Sequence, residues 1–255
     1  MIRVLVLMKQ VPASATLGVD PETGSLIRNG ETLVNPADER ALSLALALPD
    51  AEITVVTMGP AAAQSLLRTA AAYPVSRLVL ICDRAFAGSD TYQTARTLSR
   101  AIDQLGEFDL ILCGRRAVDG ETGQVGPELS AMRRLPFVPD AMALRLEGST
   151  LFVSSQDEES VRECSVPLPC VVSVCEGASP LRPASILGMR RAAKKPITIL
   201  DNDILQLEGC GLAASPTRVL RTKTVEPPRK KARRTTDTDE GVRWIVNALG
   251  GKADA

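Results

Sequence analysis

"FDLILCGRRAVDGETGQVGPE" (residues 108–128) opens as an apolar run and turns, within a few residues, into a loop of glycines, acids and arginines. The run "FDLILC" reads as a buried strand, because near-continuous apolar character is what a strand covered on both faces shows. Gly120, Gly123 and Gly126 then recur with GxxGxxG spacing before helical residues resume. This is neither the GxGxxG dinucleotide fingerprint nor a GxxxxGK[ST] phosphate loop. A strand that opens through glycines into a helix N-terminus still leaves backbone N–H groups free for an anion. The pattern therefore carries two readings: an ordinary strand-to-helix turn with an acidic cap, or a loop wrapped around a nucleotide.

The flanking sequence repeats the same grammar. "IRVLVLM" (2–8), "EITVVTM" (52–58) and "SRLVLIC" (76–82) are further apolar strands. Between them lie "NPADERALSLALAL" (35–48), "AAAQSLLRTAAA" (61–72) and "DTYQTARTLSRAIDQLG" (90–106). In the last, Ala95, Leu98, Ile102 and Leu105 fall near one helical face and Gly106 suits the helix end. Strand alternating with helix predicts βαβ units and an α/β fold with a doubly wound, mostly parallel sheet, Rossmann-like in architecture. In such sheets the ligand crevice lies beyond the carboxyl ends of the strands. Four loops are expected to meet there: "KQVPAS", "MGPAAA", "CDRAFAGSDT" and the opening stretch. Asp90 reads either as the N-cap of the following helix or, with the hydroxyls of Ser89, Thr91 and Thr94, as a contact to a ribose or ribityl chain.

After about residue 140 the pattern changes. "ALRLEGSTLFVSS" predicts a hairpin turning at Glu147-Gly-Ser, followed by "VRECSVPLP" and "CVVSVCE". Residues 1–184 are read as the nucleotide-binding domain and 185–255 as a C-terminal arm whose scattered apolar residues need another surface. The basic runs "RRAAKK" (190–195) and "RKKARR" (229–234) read as solvated segments near an acidic partner rather than a nucleic-acid tail.

Composition narrows the chemistry. The chain has 255 residues, 45% of them hydrophobic, with Lys+Arg and Asp+Glu both at 30. This balance gives no field toward nucleic acid. No apolar run is long enough for a membrane span, and "MIRVLVLMKQ" reads as a first strand, so a cytoplasmic protein is expected. The absence of histidine removes every His-based triad and the usual zinc sites. The six cysteines form no CxxC pair and read as free, mostly buried thiols.

Several motifs in order carry a resemblance. "VLMKQVP", "VNPADERAL", "VTMGP", "CGRRAVDGETGQVGPE", "LPCVVSV" and "ILGMRRAAKKPI" resemble the β subunit of electron-transferring flavoprotein across nearly the whole chain. "CDRAFAGSDT" and "GLAASPTRVLRT" are most similar to its electron-bifurcating type. The resemblance implies a β subunit that binds FAD, accepts electrons from NADH, and pairs with an α subunit carrying a second FAD. Housekeeping relatives hold a structural AMP instead. Implied further partners are an acyl-CoA-type or other flavin dehydrogenase and a low-potential acceptor such as ferredoxin or flavodoxin.

Carried over by motif, the nucleotide-binding residues are Lys9, Gln10, Val11, Asn35, Met58, Gly59, Asp90, Thr91, Thr94, Cys113 and Gly114. They continue through Asp119, Gly120, Thr122, Gly123, Gln124, Val125 and Gly126, with Arg84 and Arg116 expected to neutralise phosphate. Asp119, Thr91 and Thr94 are expected on ribose or ribityl hydroxyls. No side chain is assigned as catalytic, because the flavin carries the redox chemistry. The partner-recognition loop falls on Ser179 to Met189, keeping Arg182.

Overall fold

In the computed structural model, residues 1–13, 18–19, 26–27, 31–156, 160–220 and 233–249 are described. The four predicted strands are β1 (Ile2–Leu7), β6 (Ala51–Met58), β7 (Arg77–Ile81) and β8 (Leu110–Gly114). Their order in the sheet is β8-β1-β6-β7, all parallel. Alternation along each strand feeds two cores. Val4, Val6, Val55, Leu110 and Leu112 face one cluster, while Leu5, Val56, Ile111 and Val79 face the other. Helices α1 (Pro36–Ala47) and α2 (Gln64–Ala70) cover the first face; α3 (Thr91–Leu105) and α4 (Val125–Arg133) cover the second. The doubly wound α/β fold is thus as expected.

Each helix starts and stops for a local reason. Pro36 fits the first turn of α1 because its missing N–H is not needed there. Asp90 caps α3 by accepting from the Gln93 N–H, and Gly106, at φ 106°, ends it. Short strands β2 (Gln10–Pro12), β3 (Gly18–Val19), β4 (Leu26–Ile27) and β5 (Thr32–Val34) fill the connection from β1 to α1, with β2 antiparallel to β5 and β3 to β4.

The second half extends the sheet on both sides. β9 (Phe137–Glu147) and β10 (Thr150–Gln156) form the predicted hairpin, Glu147 opposite Thr150, and β11 (Val161–Pro167) pairs antiparallel with β10. The continuously buried β12 (Cys170–Val174) does not follow β11 at the edge. It inserts between β8 and β9, parallel to both, where a strand without a polar face belongs.

By packing, the chain divides into two compact units, Met1–Leu220 and Arg221–Ala255. β13 (Thr198–Leu200) adds a parallel edge strand beside β7, and α5 (Ile186–Ala192), α6 (Asn202–Leu205) and α7 (Gly211–Ala214) belong to the same unit. Side chains bind this segment down. Tyr73 Oη donates to Arg182 O at 2.9 Å, Ser43 Oγ to Pro180 O at 3.2 Å, and Arg68 to the Ala192 and Lys195 carbonyls. The second unit, Arg221–Ala255, contains α8 (Thr238–Ala248), which buries none of its residues. Arg233 stacks 4.2 Å over the Trp244 ring; of the basic run 229–234 only Arg233 and Arg234 lie within the described residues. Among the described residues no helix is long and apolar enough to cross a membrane.

Two substitutions test this packing. Leu112, fully buried between strands, should cost about 3 kcal/mol on truncation to alanine, read as a lower urea midpoint at unchanged m-value. Gly188 lies so close to α2 that a Cβ would sit 2.1 Å from Ala72 O. Gly188→Ala should lower stability by roughly 2 kcal/mol and the melting temperature by about 6 °C.

Candidate nucleotide crevice

The connection from β1 leads to β6 on one side of the sheet, while β8 lies on the other, so the strand order reverses between β1 and β8. That switch point is where open α/β sheets hold ligands. Two of the expected loops flank it, those leaving β1 and β8. The first turn of α1 fastens them together. Asp38 Oδ2 accepts the Lys9 N–H at 2.7 Å and Oδ1 accepts the Gly114 N–H at 2.9 Å. Asn35, 1% exposed, donates to Arg116 O at 2.9 Å and accepts from the Val118 N–H at 3.2 Å.

Lys9 and Asp119 add a third tie: the ammonium lies 2.6 Å from Asp119 Oδ1, whose side chain is 1% exposed. The Asp119 carboxylate expected on a ribose is therefore already engaged with Lys9. Gln10 donates to the hydroxyls of Thr32 and Ser65, and Val11 is buried in the same connection. Arg116, expected on phosphate, lies 3.6 Å from Glu176, while Arg84 is exposed in a short 3-10 turn after β7. At the end of β6, Met58 is half-buried and the Gly59 N–H bonds Ile81 O.

The three spaced glycines do three different things. Gly120 faces open space; Gly123, at φ 63°, turns the chain in the left-handed region; Gly126 is packed, since a Cβ there would meet Cys113 Sγ at 2.9 Å. Thr122 and Gln124 between them are exposed, and Val125 begins α4. The N-terminus of α4 receives no side-chain cap, so it retains the free amides an anion needs.

Asp90 is the α3 cap, and its other oxygen accepts from both the backbone and hydroxyl of Thr217 at 2.9 and 2.8 Å. Burial pulls its pKa upward, but these bonds outweigh it and the net direction is down. Thr91 donates to Glu128 Oε1 at 3.0 Å, joining the starts of α3 and α4, while Thr94 is half-buried one turn on. Glu128 Oε2 is buried without a hydrogen-bond partner, and burial followed by the Asp90 charge raises its pKa against the Thr91 bond. An orphan acceptor beside uncapped helix amides fits a ligand that brings both a hydroxyl and a phosphate.

Asp38 was missed by sequence reasoning, yet it is the most perturbed acid here. Burial raises its pKa to about 7, partly offset by the Lys9 N–H, the Asn35 side chain and the Gly114 N–H. Relative to an ordinary carboxylate, ionising it at neutral pH costs the fold about 4 kcal/mol. Because the folded carboxyl binds its proton more tightly than the unfolded one, this contribution lowers stability as pH rises from about 4 to about 7 and then levels off. Burial and the neighbouring Asp38 charge push the Cys113 thiol up to about 12, so it stays protonated and packs rather than reacts. All six cysteines are free thiols. Ser215, Thr217 and Gln93, also missed, hold the 214–217 segment across the start of α3.

A family model described as the electron transfer flavoprotein domain matches residues 23–205. A caffeyl-CoA reductase-Etf complex subunit CarD of Acetobacterium woodii is 37% identical, with 89% of each chain covered. An electron transfer flavoprotein subunit beta of Thermoanaerobacterium thermosaccharolyticum is 36% identical over 98% of each chain. A protein FixA of Azorhizobium caulinodans is 36% identical over 92% of this chain and 88% of its own. With a family domain matched over most of its length and full-length relatives at this identity, the chain belongs to the electron transfer flavoprotein family as a β subunit.

Proposed function

We propose that the chain is the FAD-binding β subunit of a heterodimeric electron transfer flavoprotein, acting in the cytoplasm with NADH as donor and passing electrons by flavin-based bifurcation. The observation that carries this reading is the crevice at the β1/β8 switch point, with both flanking loops fastened to α1 and an uncapped α4 N-terminus beside it. Bound FAD supplies the redox chemistry. The protein's part is placement: the α4 amides take phosphate, Glu128 Oε2 accepts a ligand hydroxyl, and the Lys9–Asp119 pair closes the floor. No side chain is asked to act as general acid or base, in keeping with a chain that has no histidine.

Two surfaces suit the proposed partners. α8 exposes Val242 and Ile245, with Leu249 exposed just after it, and fits an α-subunit surface. The pinned 179–189 loop and α5 expose Ile186, Leu187 and Met189 with Arg190 and Arg191 alongside, suiting a flavin dehydrogenase with an acidic rim. Ferredoxin or flavodoxin is the low-potential acceptor in this reading.

A second reading, structural AMP in a single-FAD shuttle, is favoured by one observation. Asp90 and Thr91 spend their polar groups on Gln93, Thr217 and Glu128, which leaves this loop fewer contacts for a ligand as long as FAD.

Cofactors extracted from the purified complex with its α subunit separate the two. Two FAD and no AMP per heterodimer is the expected count; one of each establishes the AMP reading. For the partner, hydrogen exchange at the α8 amides is expected to slow at least tenfold on complex formation, and equal exchange with and without the α subunit rejects that surface.

A further inference from the structure

The first turn of α1 holds a buried carboxylate to which the nucleotide reading gives no role. Asp38 is 6% exposed, and each of its oxygens serves a different strand exit, Lys9 after β1 and Gly114 at the end of β8. Asn35, three residues earlier, holds the β8 loop at two further points, Arg116 O and the Val118 N–H. Four hydrogen bonds therefore run from one helix end to both sides of the switch point. The fit is close: a Cβ on Gly114 would sit 2.4 Å from Asp38 Oδ1 and 2.8 Å from Ala37 Cβ.

We infer that Asp38 and Asn35 are positioning residues that hold the Lys9 and Gly114–Val118 backbone in its nucleotide-binding geometry, and that Asp38 does so only as the carboxylate. This rests on the crevice being a nucleotide site. An ionised carboxylate offers acceptors alone, and it is faced by N–H donors: the Lys9 and Gly114 amides and the Asn35 side chain. A proton on either oxygen places an O–H against an N–H, and one of the two bridges is lost.

The neighbouring charges do not hold Asp38 ionised. The Lys9 ammonium lowers its pKa only as the smallest of the causes, being turned to Asp119, and the Cys113 thiol on β8 remains neutral. Glu39 on α1 is itself raised by burial, and Arg116 is paired with Glu176 beyond β12. β6 ends in the uncharged Thr57 and Met58, and β12 in Ser173 and Val174. Burial outweighs the hydrogen bonds from the Lys9 N–H, the Asn35 side chain and the Gly114 N–H, so the proton leaves near pH 7. Above that pH both bridges stand; below it one opens, and nucleotide affinity falls.

The test titrates FAD against the full chain from about pH 6 to about pH 8, a range over which the charge of the FAD diphosphate does not change. Wild-type affinity should tighten about tenfold across the range, the equivalent of one hydrogen bond. Asp38→Asn, whose NH2 confronts an N–H, should bind about tenfold more weakly at the upper end and show no pH slope. Asn35→Ala should weaken binding throughout and, because the Asn35 side chain also bonds Asp38, shift the slope to higher pH rather than abolish it, which a general loss of structure would not do. Amide protection at Lys9 and Gly114, measured without ligand, should rise in step with the ionisation of the Asp38 carboxyl. Affinity and protection both flat with pH in the wild type overturn the inference, as does an Asp38→Asn chain that keeps the wild-type slope. If protection follows the Asp38 titration but FAD binds no form at any pH, the positioning contacts stand and the FAD reading falls.

Discussion

A single carboxylate lies where the two halves of the sheet diverge. Asp38 bridges the ends of β1 and β8, the two parallel strands between which the winding reverses. The opening there follows from topology, but its shape does not: strand exits at a switch point are free to splay unless something ties them. The tie is a costly one, since burial holds the carboxyl near a pKa of about 7. The start of α1 softens the cost, because a negative charge is favoured at a helix N-terminus. The surroundings are small to match, Gly114 on one side and Ala37 on the other. Loop residues that look autonomous in sequence thus take their geometry from a helix some 75 positions earlier, as the separation of 76 between Asp38 and Gly114 states.

Much of the first half was legible because its pattern is strong. Continuous apolar runs became the central strands, and Gly106 and Asp90 ended and began α3 as their chemistry demands. The second half was less so. β12 follows β11 in sequence but pairs with β8 and β9, a choice made by burial on both faces rather than by proximity along the chain. β13 is three residues long, too short for periodicity to announce it. Its neighbours α5 to α7 join the body through carbonyl-seeking side chains such as Arg68 and Tyr73, which no local pattern reveals.

The candidate site was legible as a set of loops and not as a set of contacts. Lys9, Asn35, Gly114, Arg116 and Asp119 do converge, but largely on one another. The evenly spaced glycines suggested one phosphate cradle, whereas an open position, a left-handed turn and a packing contact divide the work. Asp38 did leave a signal. Ala41, Leu42 and Ala45 lie three, four and seven positions after it, all buried, so the acid occupies the apolar stripe of its own helix. An acid on that stripe has to find donors.

The late insertion of β12 also bears on how the chain is made. During synthesis β8 emerges with β1 on one flank and nothing on the other, and it stays so until residues 170–174 have left the ribosome. Throughout that interval the nascent protein presents an unpaired, fully apolar strand edge, the kind of surface that recruits wrong neighbours. The hairpin of β9 and β10 is complete before then and can fold locally, but it has no place in the sheet until β12 arrives to join it to β8.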